Sequence, residues 1–445
     1  MDYMTCRINT IYRNVYNLIA VCATWRRVGL AYPALWKLVP IIEHQNPAFL
    51  RAPPLEHILQ RAGNHHLHLA IMADKFPYEQ FKHLCSQWNR FSVINIWSDA
   101  VVPTETAAVL CEILKHSPPG SISKLSLKKQ PNNWVTYSSF NKVNFNPQIS
   151  QLVGSLSVFR ISAFTLEWKN IRFSHRLIEL RVDSIMLRSD SKIRTFFAAL
   201  SSAPELKELS LLSIQLDSDQ LDKDVPLEVL SLPKLQLLHL GCCCLNALEL
   251  ILSHIAHSSY DLTINLHPDN AQHYPPCKEV LDPGLVCAFL SGVAIDKLIL
   301  RGGHASPWAH TADLRRVLES APGLKILTLN GFLVDPDLLM GLAPFPASAS
   351  PTDQAVFPKL TRLEMHNAQF LVPLSVLKPA FEVIFNSHRI ETMVLGGISS
   401  ELPQVSPDES DEVVRWIRCQ IPQFSLSCEP TEAPELIDIW RLWDI

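Results

Sequence analysis

Apolar residues recur along this chain in one short pattern: an apolar position, two variable ones, an apolar, one variable, an apolar. In order the triplets are Phe91/Ile94/Ile96, Ile122/Leu125/Leu127, Leu156/Phe159/Ile161, Leu177/Leu180/Val182, Leu206/Leu209/Leu211 and Leu235/Leu238/Leu240. They continue with Ile295/Leu298/Leu300, Leu324/Leu327/Leu329, Leu360/Leu363/Met365, Ile390/Met393/Leu395 and Ile421/Phe424/Leu426. The third members at 182, 211 and 240 lie 29 residues apart, as do 300 and 329, and most other intervals fall in the low to mid thirties. The 60 residues between 240 and 300 make two periods, with DLTINL at Asp261–Leu266 as a degenerate copy near their middle. The last two apolar residues of a triplet are two apart, so in a strand they share a face and enter a core while the residue between them points away. One strand per repeat is predicted. Helical spacing precedes many triplets, as in ETAAVLCEILKHSPP before Ile122, SKIRTFFAALSSAP before Leu206 and TADLRRVLESAP before Leu324, and a proline ends each helix before the strand.

Alternation of strand and helix at this period predicts parallel strands on the inner face of a curved stack and helices outside. The pattern resembles the leucine-rich-repeat family over roughly residues 60 to 430, in the irregular form found in F-box proteins. The asparagine that usually follows the strand is present only at Asn330 and Asn367. The resemblance implies an α/β fold, an irregular leucine-rich-repeat solenoid with a C-terminal cap, assigned here to residues 46–445. Each triplet residue is expected to contribute about 1.5–3 kcal/mol by burial. A charge at Leu209, Leu238 or Leu327 is therefore expected to unfold neighbouring repeats.

Residues 1–45 follow a different logic. Leu18–Leu38 reads LIAVCATWRRVGLAYPALWKL. Ile19, Cys22, Arg26 and Gly29 share a helix face and Trp25 follows Val21 at i+4, which predicts a short helix ended by Pro33, with Leu35 and Trp36 as bulky contacts toward the first repeats. The run of Val21, Cys22, Trp25 and Arg26, followed by Pro33, Leu35 and Trp36, looks like the second half of an F-box, in the form found in large families of mushroom-forming fungi. The downstream PLEHILQRAGNHHLHLAI is similar to the segment that follows it there. The resemblance implies that these seven residues bind a Skp-family adaptor, and through it a cullin, so that the chain recruits substrates to a ubiquitin ligase. The Leu-Pro-x-Glu start of the motif is not visible in residues 1–17. Either that half lies upstream of Met1 or adaptor binding has been lost. Trp25, Leu35 and Trp36 also read as core residues capping the open end of the repeats.

Composition narrows the functional classes. A formal charge of -4 and 18% charged residues give no footprint for nucleic acid or an anionic membrane. Eleven cysteines without a framework or a C-x-x-C pair, no N-x-[ST] sequon and no apolar N-terminal core point to a reducing compartment, cytoplasmic or nuclear; no basic cluster argues for import. No stretch approaches the roughly 20 apolar residues of a membrane span. No catalytic motif of the nucleophile-elbow, zincin, P-loop or dinucleotide type is present, so no enzyme, cofactor or metal is expected. His65, His66 and His68 read as a surface strand with Leu67, Leu69 and Ile71 inward, and Cys242, Cys243 and Cys244 as packing residues in a repeat turn. PDESDEVVRW at Pro407–Trp416 reads as a charged first helical turn. Trp440 and Trp443 read as cover for the last repeat, with a peptide docking motif as the alternative.

Strand geometry aims Glu179, Arg181, Asp183, Glu208, His239, Arg301, Asn330, Arg362, Glu364 and His366 out of the core, onto the concave face. Mixed charge there suggests a polypeptide substrate, although any solvated sheet face carries similar residues. His267–Pro283 and Pro344–Pro358 are expected to loop out of the array. The rival to a ligase subunit is a leucine-rich-repeat scaffold that binds a partner without a ligase link.

Overall fold

Each predicted apolar triplet ends in a strand, and within each of two compact units the strands pair side by side in chain order. The computed structural model describes residues 3–42, 54–72, 83–84, 86–98, 104–129, 147–164, 166–187, 189–216, 228–256, 259–268, 283–302, 306–344, 357–396 and 409–427. The chain divides into two compact units, one drawn from Met1–Glu208 with Leu230–Lys234 and the other from Leu209–Val229 with Leu235–Ile439.

In the first unit β1 (Leu38–Ile42), β2 (Leu67–Met72), β3 (Phe91–Ser98), β4 (Lys124–Lys129), β5 (Val158–Ser162) and β6 (Glu179–Asp183) form a parallel ladder. The second unit carries β7 (Glu208–Leu212) from Leu209 onward, β8 (Leu237–Gly241), β9 (Asp261–Leu266), β10 (Lys297–Arg301), β11 (Ile326–Asn330), β12 (Arg362–His366), β13 (Thr392–Gly396) and β14 (Gln423–Ser427), again neighbours in this order. Parallel neighbours need a crossover, and helices such as Thr104–His116, Asp190–Leu200, Leu245–His254, Thr311–Glu319 and Leu374–Ser387 supply it. Every triplet residue is buried except Phe424 and Leu426, which are half-buried on the last strand. The degenerate copy behaves alike: Leu262, Ile264 and Leu266 are buried.

A backbone signature repeats after the strands. Ala163, Ser184, Ser213, Cys242 and Asn367 have φ of 59°, 54°, 49°, 51° and 49°, and Gly331 has 74°. In this left-handed conformation the chain turns out of the strand while its N–H still reaches the next strand, as from Ala163 to the Asp183 carbonyl (3.0 Å), Cys242 to Asn265 (2.9 Å) and Gly331 to His366 (2.8 Å). Asn and Gly tolerate that conformation best.

The N-terminal module departs from expectation in two ways. First, the helix predicted to run through Val21 and Cys22 is broken there: Tyr3–Ala20 and Ala23–Ala31 are separate helices. Cys22 is extended (φ -160°, ψ 173°) and caps the second helix, its Sγ accepting the Trp25 N–H at 3.5 Å. The helices pack through Gly29, where an added Cβ would lie 2.5 Å from Ile19 Cγ2. Second, the ladder begins at Leu38, inside the residues assigned to the module, because LVPII after the Pro33–Trp36 turn is an apolar strand. Its proline is tolerated on the first strand of a ladder. The Tyr12 hydroxyl donates to the Leu38 carbonyl and ties the first helix to this strand. No helix among the described residues is long and apolar enough to cross a membrane.

Of the two expected loops, residues 269–282 and 345–356 lie outside the described residues, as do Trp440 and Trp443. Around 345–356 the chain is clamped. Leu360 N–H donates to Nδ1 of the buried His388 (3.3 Å), so Nε2 carries the proton and donates to the Leu342 carbonyl (2.6 Å).

Candidate recognition site

Residues between the core-facing ones form a second, polar face of each ladder. Most of those predicted as solvated are not. Arg181, His239, Asn330, Glu364 and His366 are buried, Glu179, Asp183, Arg301 and Arg362 are half-buried, and Glu208 alone is exposed. The reason is strand spacing. At about 4.8 Å between neighbours, long polar side chains lie across adjacent strands rather than standing into water.

On the first unit the charges pair. Arg160 Nε meets Glu179 at 2.5 Å, and Asp183 accepts from the Ser162 and Ser184 hydroxyls, each at 3.0 Å. Partial burial, then the neighbouring Glu179 charge, push the Glu208 carboxyl up, with Arg160 opposing.

On the second unit the register sets Thr328 beside Glu364 and Lys297 beside Ile326, which in turn faces Arg362. Glu364 is 1% exposed at the centre of a network. The Thr328 hydroxyl donates to it at 2.7 Å, Arg362 Nε at 2.6 Å, and Lys297 reaches it from two strands away at 3.4 Å; His366 Nε2 lies 3.7 Å off. Burial alone would raise the Glu364 carboxyl, but the nearby His366 imidazole, the Lys297 and Arg362 charges and the Thr328 hydrogen bond outweigh it and hold the group well below the usual carboxylate range. Asn330 accepts from the Asn367 amide at 3.1 Å. Sequence reasoning missed Lys297, Thr328, Arg160 and Asn265. Aligning the triplets and reading every position between apolar residues, not only the charged ones ending a strand, would have found them.

The F-box-like residues separate into two groups. Trp36 is fully buried, donates Nε1–H to the Gly29 carbonyl at 2.9 Å and lies under the Arg61 guanidinium, 4.4 Å from its ring centroid. Pro33 and Leu35 are half-buried. Trp36 is thus part of the core. Val21, Cys22, Trp25 and Arg26 are exposed, and Arg26 Nε donates to the Ile19 carbonyl at 3.3 Å. Trp25 and Val28, 49% and 55% exposed, lie three residues apart on the Ala23–Ala31 helix, and Val21 and Tyr32, 67% and 56% exposed, flank it just beyond its two ends, so that the helix carries and is bordered by exposed apolar side chains. Val28 and Tyr32 completed a pattern that the motif alone did not include.

No metal site emerges among the described residues, where no group of three or more His, Cys, Asp or Glu side chains converges. His66 is exposed and His68 half-buried, with Leu67, Leu69 and Ile71 buried as expected. Cys243 and Cys244 are buried, and burial pushes the Cys244 thiol up to about 11.

The sequence matches no known protein-family profile and no curated protein. Among solved structures it is similar to the leucine-rich repeat-containing protein LegL7 from Legionella pneumophila, at 12% identity, over 86% of this chain and 97% of that one, with a TM-score of 0.39. The fold assignment stands on the chain's own repeat: a parallel strand, a turn and a helix, with an apolar triplet in the core, is the α/β arrangement of a leucine-rich-repeat array.

Proposed function

We propose that this chain is a recognition scaffold: its strand ladder holds a partner protein and its N-terminal helix pair docks an adaptor. In the fuller form of this reading, it recruits substrates to a Skp-cullin-F-box type ubiquitin ligase and contributes proximity rather than chemistry of its own. The observation that carries it is the set of exposed apolar residues Trp25 and Val28, with Val21 and Tyr32 at the two ends, on and beside a helix whose other side is packed against Ile19 through Gly29. A contiguous exposed apolar face marks an interaction surface. It contains Val21 and Trp25 of the F-box-like run. The ladder's buried, cross-linked polar residues supply a rigid second surface suited to a polypeptide.

Co-purification of the full-length chain with the Skp-family adaptor of its own species tests this. W25A and V28D alter exposed positions and leave the core intact, whereas W36A would collapse it. Recovery of adaptor and cullin by the wild type, lost in both variants while other partners are kept, supports the ligase reading. Recovery of partners without adaptor leaves a scaffold with no ligase link.

A further inference from the structure

Two unmet hydrogen-bonding groups lie on adjacent strands of the second unit's polar face. Asn265 on β9 is 1% exposed, and its Nδ2 donates to Cys242 Sγ at 3.8 Å, while its Oδ1 receives no hydrogen bond. Arg301 on β10 has a buried Nε with no acceptor, and among the described residues no carboxylate pairs with its guanidinium. The register pairs Asn265 with Ile299, so Arg301, two residues on, is its diagonal neighbour at about 7–8 Å. The nearby charges are accounted for. Glu364 is taken up by Lys297, Arg362 and Thr328, and Lys325, at the start of the repeat, is paired with Asp296 at 2.7 Å with Asp261 adding to the same field. Among the described residues, Arg301 is thus a guanidinium without a counter-ion beside a carbonyl oxygen without a donor.

A ligand that satisfies both must bring an anionic acceptor and an N–H together. A nucleic-acid phosphate brings acceptors alone. We propose that Arg301 and Asn265 anchor an acidic segment of the bound polypeptide, with an Asp or Glu carboxylate on Arg301 and a backbone N–H of the same segment on Asn265 Oδ1. Asn330, opposite Arg301 in the register, borders the carboxylate position. The inference deepens the scaffold reading and rests on the ladder being its partner-binding face.

The test uses immobilised full-length protein and two degenerate libraries of short peptides, identical but for a central Glu in one and Gln in the other. Wild type is expected to retain the Glu library about tenfold more strongly, the scale of one charge-assisted hydrogen bond. R301Q, checked by thermal melting, should lose that preference, and N265A should weaken retention of both libraries alike. On wild type alone, the preference should fall as salt rises from about 50 to about 500 mM. Equal retention of the two libraries, a preference that survives in folded R301Q, or one that ignores salt would overturn the proposal, leaving an ordered water as the groups' partner. Adaptor co-purification reads the Trp25 surface separately. If it persists while the library preference is absent, the acidic anchor falls and the scaffold reading stands.

Discussion

Replacing His388 with Ala is expected to loosen the end of the array, and the size of the effect follows from its two backbone hydrogen bonds. Leu360 N–H donates to Nδ1 and Nε2–H donates to the Leu342 carbonyl, joining the chain on either side of residues 345–356. Leu342, Leu360 and His388 are all buried. Alanine leaves a donor and an acceptor without partners, each worth about 1–3 kcal/mol, or roughly 4 kcal/mol together. The Phe357 ring, 5.8 Å from the imidazole, loses a contact as well. Hydrogen exchange followed by mass spectrometry over residues 357–366 should read this as roughly a thousandfold faster local opening, at about 1.4 kcal/mol per tenfold. H388Q, which keeps one acceptor and one donor, should recover much of it. A change below about tenfold in H388A would refute the clamp. The sign with pH is fixed. Burial lowers the imidazole pKa most, Lys359 adds to this, and the hydrogen bonds to the Leu342 and Pro358 backbone oppose it. Protonating Nδ1 would also set a donor against Leu360 N–H. Because the folded-state pKa is depressed, the stabilisation is full above the unfolded value near 6.5 and is lost as pH falls from there through the folded value. H388A should lack that step.

Glu364→Ala should destabilise the second unit by about 3 kcal/mol in urea denaturation at neutral pH, since it leaves Lys297 buried without its carboxylate. The carboxyl is held low in the folded state, so the stabilisation is present above about pH 4.3 and fades as pH falls; equal midpoints for E364A and wild type would contradict the network. Gly29→Val should separate the two N-terminal helices, read as loss of helical circular dichroism and of adaptor binding, because its Cβ would overlap Ile19. Ala163→Gly should raise the melting temperature slightly, relieving about 1 kcal/mol of left-handed strain; no change or a fall would mean the turn is unstrained. Leu327→Asp should cooperatively lower the melting temperature across neighbouring repeats, and retention of a native melt would break the one-core account.

The strands were legible because an apolar triplet with fixed spacing needs no tertiary knowledge: Leu238 and Leu240 enter the core whatever lies around them. Even DLTINL, without its first apolar residue, was found by period alone. Strand β1 escaped because LVPII carries a proline and follows a motif read as helical. The break at Cys22 escaped because a residue that caps a helix and one that sits inside it share the same spacing. Trp36 was read two ways, and only the bond from its indole to Gly29 and the Arg61 cover decide for the core. The candidate surface was legible in place but not in state. Parity put Glu364, His366 and Asn330 on the polar face, yet whether such residues meet water depends on side chains from strands about 30 to 70 residues away in sequence, as Lys297 reaching Glu364 illustrates.

That dependence carries a functional consequence. A polar face on which Glu364 is already neutralised by Lys297, Arg362 and Thr328 is preorganised, so a ligand gains little there and orders little. Discrimination then falls to the few groups that remain unmatched, because a buried donor or acceptor left without a partner penalises the wrong ligand more than a satisfied network rewards the right one. Arg301 and Asn265 are such groups among the described residues of the second unit's ladder. The same logic separates the two surfaces of the chain. The Trp25 surface can accept any complementary apolar face, whereas the Arg301–Asn265 pair selects for charge and hydrogen-bond pattern, which suits the first to a shared adaptor and the second to a particular partner.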